Sequence, residues 1–229
     1  MLTGNWLIKH LDTVESTQDY AKNLETSGKQ IVVTAQHQTK SYGQYGRKWI
    51  DIPGNLSVSL IIPAEDVTSN VTLISCIAIG DIILNHGVNI EYKWVNDVLI
   101  DGKKVAGILT EYCKGNLIIG IGLNIKQNPE NIVSIETTNL LTNGIDISSD
   151  KFLDLMLQSF TLHYNQWLQS GFKNFKHIWK SRAYKLNKNV TIVQGDSALS
   201  GTFIDIDDTG HIIIQNESAL HKFQRGSLR

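Results

Sequence analysis

Apolar and polar positions follow two rhythms along this chain, and the switches between them lay out its elements. Leu7 to Leu11 reads as a short strand. Ser16 and Thr17 are helix-starting residues, after which Tyr20, Ala21 and Leu24 fall on one helical face, with Gly28 as the stop. Ile31 to Ala35 is a β-branched run that predicts a buried strand, and Gln36 to Asp51 is a polar loop carrying two glycines and several aromatics. Leu56 to Ile62 predicts a strand ending at Pro63. A long helix follows from Ser69 to His86, apolar at Leu73, Ile74, Ile77, Ala78 and Ile82 and closed by Gly87.

Three strands then come in quick order. Ile90 to Trp94 is followed by Val98 to Ile100, and Asp101-Gly102 is a strong two-residue hairpin signal. Lys103 to Tyr112 runs back, and a second tight turn at Gly115 leads into Leu117 to Asn124. Lys126 to Ser149 is polar and weakly patterned. Asp150 to Gln169 is an amphipathic helix (Phe152, Leu153, Met156, Leu157, Phe160, Tyr164, Trp167), and a shorter helix covers Phe172 to Lys180. After Tyr184 the texture changes to short strands, Val190 to Val193, Leu199 to Ile204, His211 to Ile214 and Leu220 to Phe223, which suit a small antiparallel barrel leaning on the main domain. A strand-rich middle flanked by helices points to an α+β fold with a mixed, mainly antiparallel sheet rather than a doubly wound parallel one.

Composition narrows the function. With 229 residues, 41% hydrophobic and 19% charged, the chain is long enough to bury a sizeable core and ordinary for a globular protein. A formal net charge of −1 without a long basic run argues against sequence-independent nucleic-acid binding. The start, Met1 to Asp12, lacks the pattern of a secretory leader, and the most apolar run, Val71 to Leu84, is too short for a bilayer and carries Asp81. Cys76 and Cys113 sit far apart in apolar stretches, which predicts two buried, reduced thiols and a cytoplasmic protein. Seven histidines show no paired ligand spacing, so a structural zinc site is not expected.

Three segments are odd for purely structural elements. In Gln38 to Trp49, glycines at spacing three allow backbone N–H groups to turn toward an anion, Arg47 and Lys48 supply charge, and Trp49 offers a stacking surface. A surface loop with a half-buried tryptophan explains the same spacing. In Lys93-Trp94-Val95-Asn96-Asp97-Val98 a polar pair interrupts a buried strand; Asn96 suits a base edge and Asp97 a magnesium ion, although Asn-Asp also makes ordinary turns. Third, Gly120, Gly122 and Asn124 share one strand face, and a two-residue turn at Gly115 brings Gly107 beside Gly122. Glycines clustered on one sheet face forgo packing, which is explained if a ligand lies flat there, or if another element packs closely.

Together these segments resemble a known family. Glu15-Ser16-Thr17-Gln18, Gly43-Gln44-Tyr45-Gly46-Arg47-Lys48-Trp49, Lys93-Trp94-Val95-Asn96-Asp97, Lys103-Lys104-Val105-Ala106-Gly107-Ile108-Leu109 and Gly120-Ile121-Gly122-Leu123-Asn124 resemble, in order, the motifs of biotin–protein ligases in the monofunctional form without DNA-binding helices. The resemblance implies a class II synthetase-like catalytic domain over residues 1–184 and an SH3-like β-barrel over residues 185–229. It implies an enzyme using ATP and Mg2+ to make biotinyl-5′-AMP and to pass biotin to a lysine of a biotin carboxyl carrier domain; nucleic acid and membrane are not expected partners, and monomer and homodimer both stay open.

The resemblance also implies roles. Ser16, Thr17, Gln38 and Gly43 would hold biotin, with Gly107, Gly120 and Gly122 flooring the pocket. Lys104 and Arg47 would act on the carboxylate and phosphates. Trp49, Asn96, Asn124 and Arg229 would contact the nucleotide, and Asp97 the magnesium. Strand parity alone places Lys103, not Lys104, on the glycine face; a bulge after Asp101-Gly102 would reverse this. The family loop reads Gly-Arg-Gly-Arg-x-Gly-Arg-x-Trp, whereas Ser41, Tyr42 and Gln44 stand here for its first glycine and first two arginines, and Val95 replaces a proline. Losing two cations predicts a weaker hold on the adenylate. Two rivals remain: a lipoate or octanoate ligase or transferase of the same fold, and a non-catalytic biotin-binding module. The polar Ser16, Thr17 and Gln38 set suits a ureido head better than an alkyl end, and binding alone needs no Asp97.

Overall fold

The computed structural model describes residues 1–64, 69–129, 135–217 and 219–229. Seven strands, β1 (Leu7–Val14), β2 (Ile31–Gln38), β3 (Leu56–Pro63), β4 (Glu91–Lys93), β5 (Asp97–Ile100), β6 (Lys103–Cys113) and β7 (Asn116–Leu123), form one sheet in the order β1-β2-β3-β7-β6-β5-β4. Only β1 and β2 run parallel, joined through helix α1 (Thr17–Lys22); the other neighbours are antiparallel. This is the mixed, mainly antiparallel α+β arrangement that the pattern predicted.

Alternation along β3 and β7 gives the sheet two different faces. Leu56, Val58, Leu60 and Ile62, with Leu117, Ile119, Ile121 and Leu123, point into the main core, against helices α2 (Ser69–Asn85) and α3 (Ser149–Ser170). Helix α3 starts at Ser148, whose side chain accepts from Lys151 N–H, and buries Phe152, Leu153, Met156, Leu157, Phe160 and Tyr164 on one stripe. On the opposite face Ile61 and Ile118 pack with Ala21 of α1, while Ser57, Ser59, Gly120 and Gly122 leave a hollow. The fold thus spends its bulky residues on one side and its small ones on the other.

The turns behave as their chemistry requires. Asp101 and Gly102 both take positive φ (49° and 74°), the two-residue geometry that matches strand twist, and join β5 to β6. Helix α1 is shorter than expected: Ser16 caps it through Asp19 N–H, but it ends at Lys22 with Asn23 as cap, and Gly28 lies in a later turn. Tyr20 and Leu24 still pack near Ala21, so the apolar spacing persisted beyond the helix that it suggested. Cys76 is buried as predicted, whereas Cys113, near the end of β6 beside Lys22 O, is only half-buried; both are free. Of the weakly patterned stretch Lys126 to Ser149, residues 130–134 lie outside the described residues.

Helix α4 (Lys173–Ser181) leads to a second, antiparallel sheet of β8 (Asn189–Gln194), β9 (Ser197–Ile206), β10 (Ile212–Gln215), β11 (Leu220–Phe223) and β12 (Ser227–Leu228), ordered β11-β10-β9-β8-β12. Strand β12 was not visible in the pattern, since two residues after a glycine carry no periodicity. Phe203, Ile206, Ile212 and Ile214 of this sheet join the main core, and buried Trp94 donates its indole N–H to Gly210 O at 3.0 Å. Strand β12 thereby reaches the mouth of the hollow.

Candidate active site

The hollow is a cavity of about 590 Å³, within the range of small-molecule sites. One register row crosses its floor: Ser57 pairs with Gly122, Gly122 with Gly107, Gly107 with Asp97, and Asp97 with Lys93. Directly opposed residues share a sheet face, so this row sets two glycines between a hydroxyl and a charged pair.

Lys104 joins the row through a bulge. Val98 opposes Ala106 but Leu99 opposes Lys104, so Val105 is the extra residue. Val105 turns fully into the core and Lys104 turns to the glycine face, where its Nζ lies 2.5 Å from Asp97 Oδ1. The bulge forms where the backbone of Lys104 takes a second partner, accepting from Thr138 N–H and donating to Glu136 O. Lys103 points away and pairs with Glu136 at 3.4 Å. Parity alone selects Lys103 for the glycine face, and the bulge puts Lys104 there instead.

The glycines do not present bare backbone. A Cβ on Gly122 would lie 2.4 Å from the Trp49 indole, one on Gly107 2.8 Å from Lys104 Nζ, and one on Gly120 2.6 Å from Gln18 Oε1. These glycines make room first for three protein side chains. Trp49 lies along the floor, with Lys104 Nζ 5.5 Å from its ring centroid.

The other end of the cavity is a closed polar network. Gln38 Oε1 accepts from Thr17 N–H (2.8 Å) and Thr17 Oγ1 (3.1 Å). Ser59 Oγ lies 3.0 Å from Thr17 Oγ1 and 2.9 Å from Gln18 Oε1. Asp51, with its side chain 5% exposed, accepts from Gln38 N–H at 2.9 Å and from Ser57 Oγ at 2.6 Å. Ser16 is buried and spends its hydroxyl on capping α1.

The remaining predicted residues surround these two ends, and all fourteen line the same cavity. Gly43 N–H donates to Arg47 O at 2.7 Å, folding the loop back on itself. Arg47 is exposed and donates to Ser227 Oγ of β12 at 2.8 Å. Asn96 donates to Ile108 O, and buried Asn124 donates to Thr138 O, so each amide already holds a backbone group in place. Arg229 follows β12 at the rim and exchanges backbone hydrogen bonds with Thr191.

Several site residues had no role in the sequence reading: Gln18 and Lys93, which lie in its quoted motifs, and Asp51, Ser57 and Ser59, which do not, also line or support the cavity. Ser57 and Ser59 carried a signal, being the polar members of an otherwise apolar strand. Lys93 is largely buried at the charged end; burial lowers its pKa, Asp97 pulls it back up, and Lys104, Lys185 and Arg47 lower it further. No ion-pair partner of Lys93 occurs among the described residues. Lys93 and Lys104 therefore flank one carboxylate while Arg47 lines the same cavity, an environment suited to an anion of several charges.

Similarity to known proteins agrees with this geometry. The model of the biotin/lipoate A/B protein ligase family matches residues 11–128, and that of the biotin protein ligase C terminal domain matches residues 185–226. The bifunctional ligase/repressor BirA of Bacillus subtilis is 30% identical, across 96% of this chain and 72% of its own length. The biotin--[acetyl-CoA-carboxylase] ligase of Paracoccus denitrificans is 27% identical, over 80% of this chain and 83% of its own. Among solved structures, the biotin protein ligase from Aquifex aeolicus in complex with biotin and ATP superposes with a TM-score of 0.87 at 26% identity, covering 97% of each chain. With a family model spanning more than half its length, this chain belongs to the biotin/lipoate A/B protein ligase family.

Proposed function

We propose that this protein is a biotin–protein ligase acting on a biotin carboxyl carrier domain. The observation that carries the reading is the two-ended cavity, with the hydrogen-bonded Thr17, Gln38 and Ser59 network at one end and the Lys104–Asp97 pair with Arg47 and Lys93 at the other. A ureido ring needs paired donors and acceptors, whereas a triphosphate needs cations, and the glycine row joins the two ends.

In the first step a carboxylate oxygen of biotin attacks the α-phosphorus of ATP. The bond to the bridging oxygen of pyrophosphate breaks, and biotinyl-AMP forms. In the second, the acceptor lysine amine attacks the acyl carbon, the bond to AMP breaks, an amide forms and the amine loses a proton. Both steps bring anions together, so the protein's work is positioning and electrostatic stabilisation. Ser16, Thr17, Gln38 and Gly43 hold the ureido end. Lys104 stands between carboxylate and α-phosphate, with Arg47 on the outer phosphates. Trp49 packs the adenine, and Asn96, Asn124 and Arg229 bound the nucleotide.

Asp97 fits a magnesium site in which phosphates and waters supply most ligands. Among the described residues its buried Oδ1 pairs with the Lys104 ammonium alone, and no group of three metal-binding side chains occurs. The ion would neutralise phosphate charge. We assign catalysis to residues 1–184 and a supporting role to residues 185–229, with the cytoplasm as the site of action; among the described residues no helix is long and apolar enough to cross a membrane.

The test is ATP-dependent transfer of biotin to a purified carboxyl carrier domain. Transfer of biotin but not lipoate or octanoate is expected, as is a rise in melting temperature with biotin alone. Stabilisation by lipoate or octanoate and not biotin would move the chain to the lipoate side of its family. Biotin binding without adenylate formation would make it a binding module.

A further inference from the structure

The segment 41–49 that carries Trp49 over the floor is a small hairpin in its own right. Tyr42 and Lys48 form an antiparallel bridge, Trp49 N–H donates to Ser41 O at 3.1 Å, and Ser41 Oγ donates to Trp49 O at 3.0 Å. A piece closed so fully on itself moves as a unit, so its position depends on the few side chains that tie it down. At one end Arg47 reaches Ser227. At the other, the Tyr42 hydroxyl donates to Asp19 Oδ1 at 2.7 Å and accepts from Lys22 Nζ at 2.8 Å. Lys22 in turn binds Glu111 at 2.9 Å, and Glu111 accepts from Gln18 Nε2 at 2.9 Å, the residue whose Oε1 lies over Gly120. The neighbouring Lys40–Glu15 pair is about two-thirds exposed at both ends and ties little.

We infer that the Tyr42 hydroxyl is the latch that holds the 41–49 hairpin over the cavity and sets how long an acyl-adenylate stays bound, an inference that rests on the ligase reading above. The phenol suits the place because it is surrounded by both charges: it gives a hydrogen bond to Asp19 and takes one from Lys22. A cation at position 42 would have to share the Asp19 and Glu111 carboxylates, the latter 3.5 Å from the hydroxyl, with the Lys22 ammonium already paired to them. Loss of the family's arginine at this position is therefore matched by a neutral contact built around Lys22, so position 42 does not add to the weaker hold on the adenylate expected from the two lost cations, and Gln44 alone carries that expectation. Tyr42 is a positioning residue; it acts through Asp19, Lys22 and the hairpin rather than on the reacting atoms.

The experiment uses the full chain. Biotinyl-AMP is formed from ATP and biotin with pyrophosphatase present, and its escape into a trap is timed without acceptor. Tyr42→Phe, which removes only the hydroxyl, is expected to release the adenylate roughly tenfold faster, the scale of one lost hydrogen bond. Its kcat for transfer at saturating acceptor should stay within twofold of the parent, a split that general loosening of the fold would not produce. Lys22→Met reports on the same bond from the other side, and the double variant should release no faster than the faster single one. Tyr42→Arg should also release faster, and regain slow release when combined with Lys22→Met. Escape from Tyr42→Phe at the parental rate, or additive effects in the double variant, would overturn the latch and leave the ligase reading standing. Failure of the parent to form any biotinyl-AMP would overturn both.

Discussion

Replacing Gly122 by alanine tests the claim that the glycine floor seats the Trp49 indole at the nucleotide end. The added Cβ would stand 2.4 Å from both Trp49 Cε2 and Cζ2. Carbon atoms in good contact sit about 3.6 Å apart, so the ring must withdraw by about 1.2 Å or the strand must shift. Overpacking of this kind costs about 1–3 kcal/mol. Expressed wholly in nucleotide affinity, this is about a 5- to 150-fold rise in the KM for ATP. Trp49 is only half-buried and can give way outward, which puts the expected value near the lower end, about tenfold. Gly120→Ala is the matched control, because its Cβ would stand 2.6 Å from Gln18 Oε1 and so press on the polar end instead. Steady-state kinetics on both variants should show the KM for ATP rising in Gly122→Ala and the KM for biotin rising in Gly120→Ala. If both variants raised the same constant, or if Gly122→Ala kept the parental KM for ATP, the division of the cavity into two ends would be wrong.

Lys104→Met removes the ammonium 2.5 Å from Asp97 and should lower the rate of adenylate formation by at least about 100-fold with biotin binding retained, measured by pyrophosphate release and by calorimetry; a fall of less than tenfold would remove Lys104 from the chemistry. Asp207, at the turn between β9 and β10, should contribute acid-range stability: burial raises its pKa, but the Thr209 hydroxyl and the backbone N–H groups of His211 and Thr209 outweigh this and hold it at about 2. A carboxyl group depressed on folding stabilises the protein above its unfolded pKa and loses that effect as pH falls through the folded one. Melting temperatures of the parent and of Asp207→Asn should therefore differ at pH 5 and converge as the pH falls from about 4 toward 2; a constant difference would refute this.

How much of this was legible in the sequence depends on whether a feature leaves a local trace. The strands and long helices did, because a buried face repeats at a fixed period: Leu73, Ile74, Ile77 and Ala78 announce α2, and Asp101-Gly102 announces a hairpin whose residues indeed take positive φ. The end of α1 did not. Its apolar spacing runs on to Leu24, but Asn23 caps the helix first, and Leu24 packs against the same small cluster without being helical. Strand β12 is two residues long and exists only because β8 offers it an edge.

The site divides in the same way. Glycines on a strand are conspicuous, so Gly107, Gly120 and Gly122 were visible, yet what fills the space above them was not, since Trp49 and Gln18 arrive from distant segments. Lys104 shows the limit most clearly. Alternation from the Asp101-Gly102 turn selects Lys103, and only the extra residue Val105 reverses it; that bulge depends on Glu136 and Thr138 pairing with the Lys104 backbone, contacts some thirty residues away. The polar cluster follows from the same cause. Asp19, Lys22, Tyr42 and Glu111 are each ordinary surface types in their own segments, and they become a latch only when α1, the hairpin and β6 meet. A loop judged by its own residues has lost two arginines; judged with the residues that surround it, it has exchanged one of them for a hydroxyl that two opposite charges share.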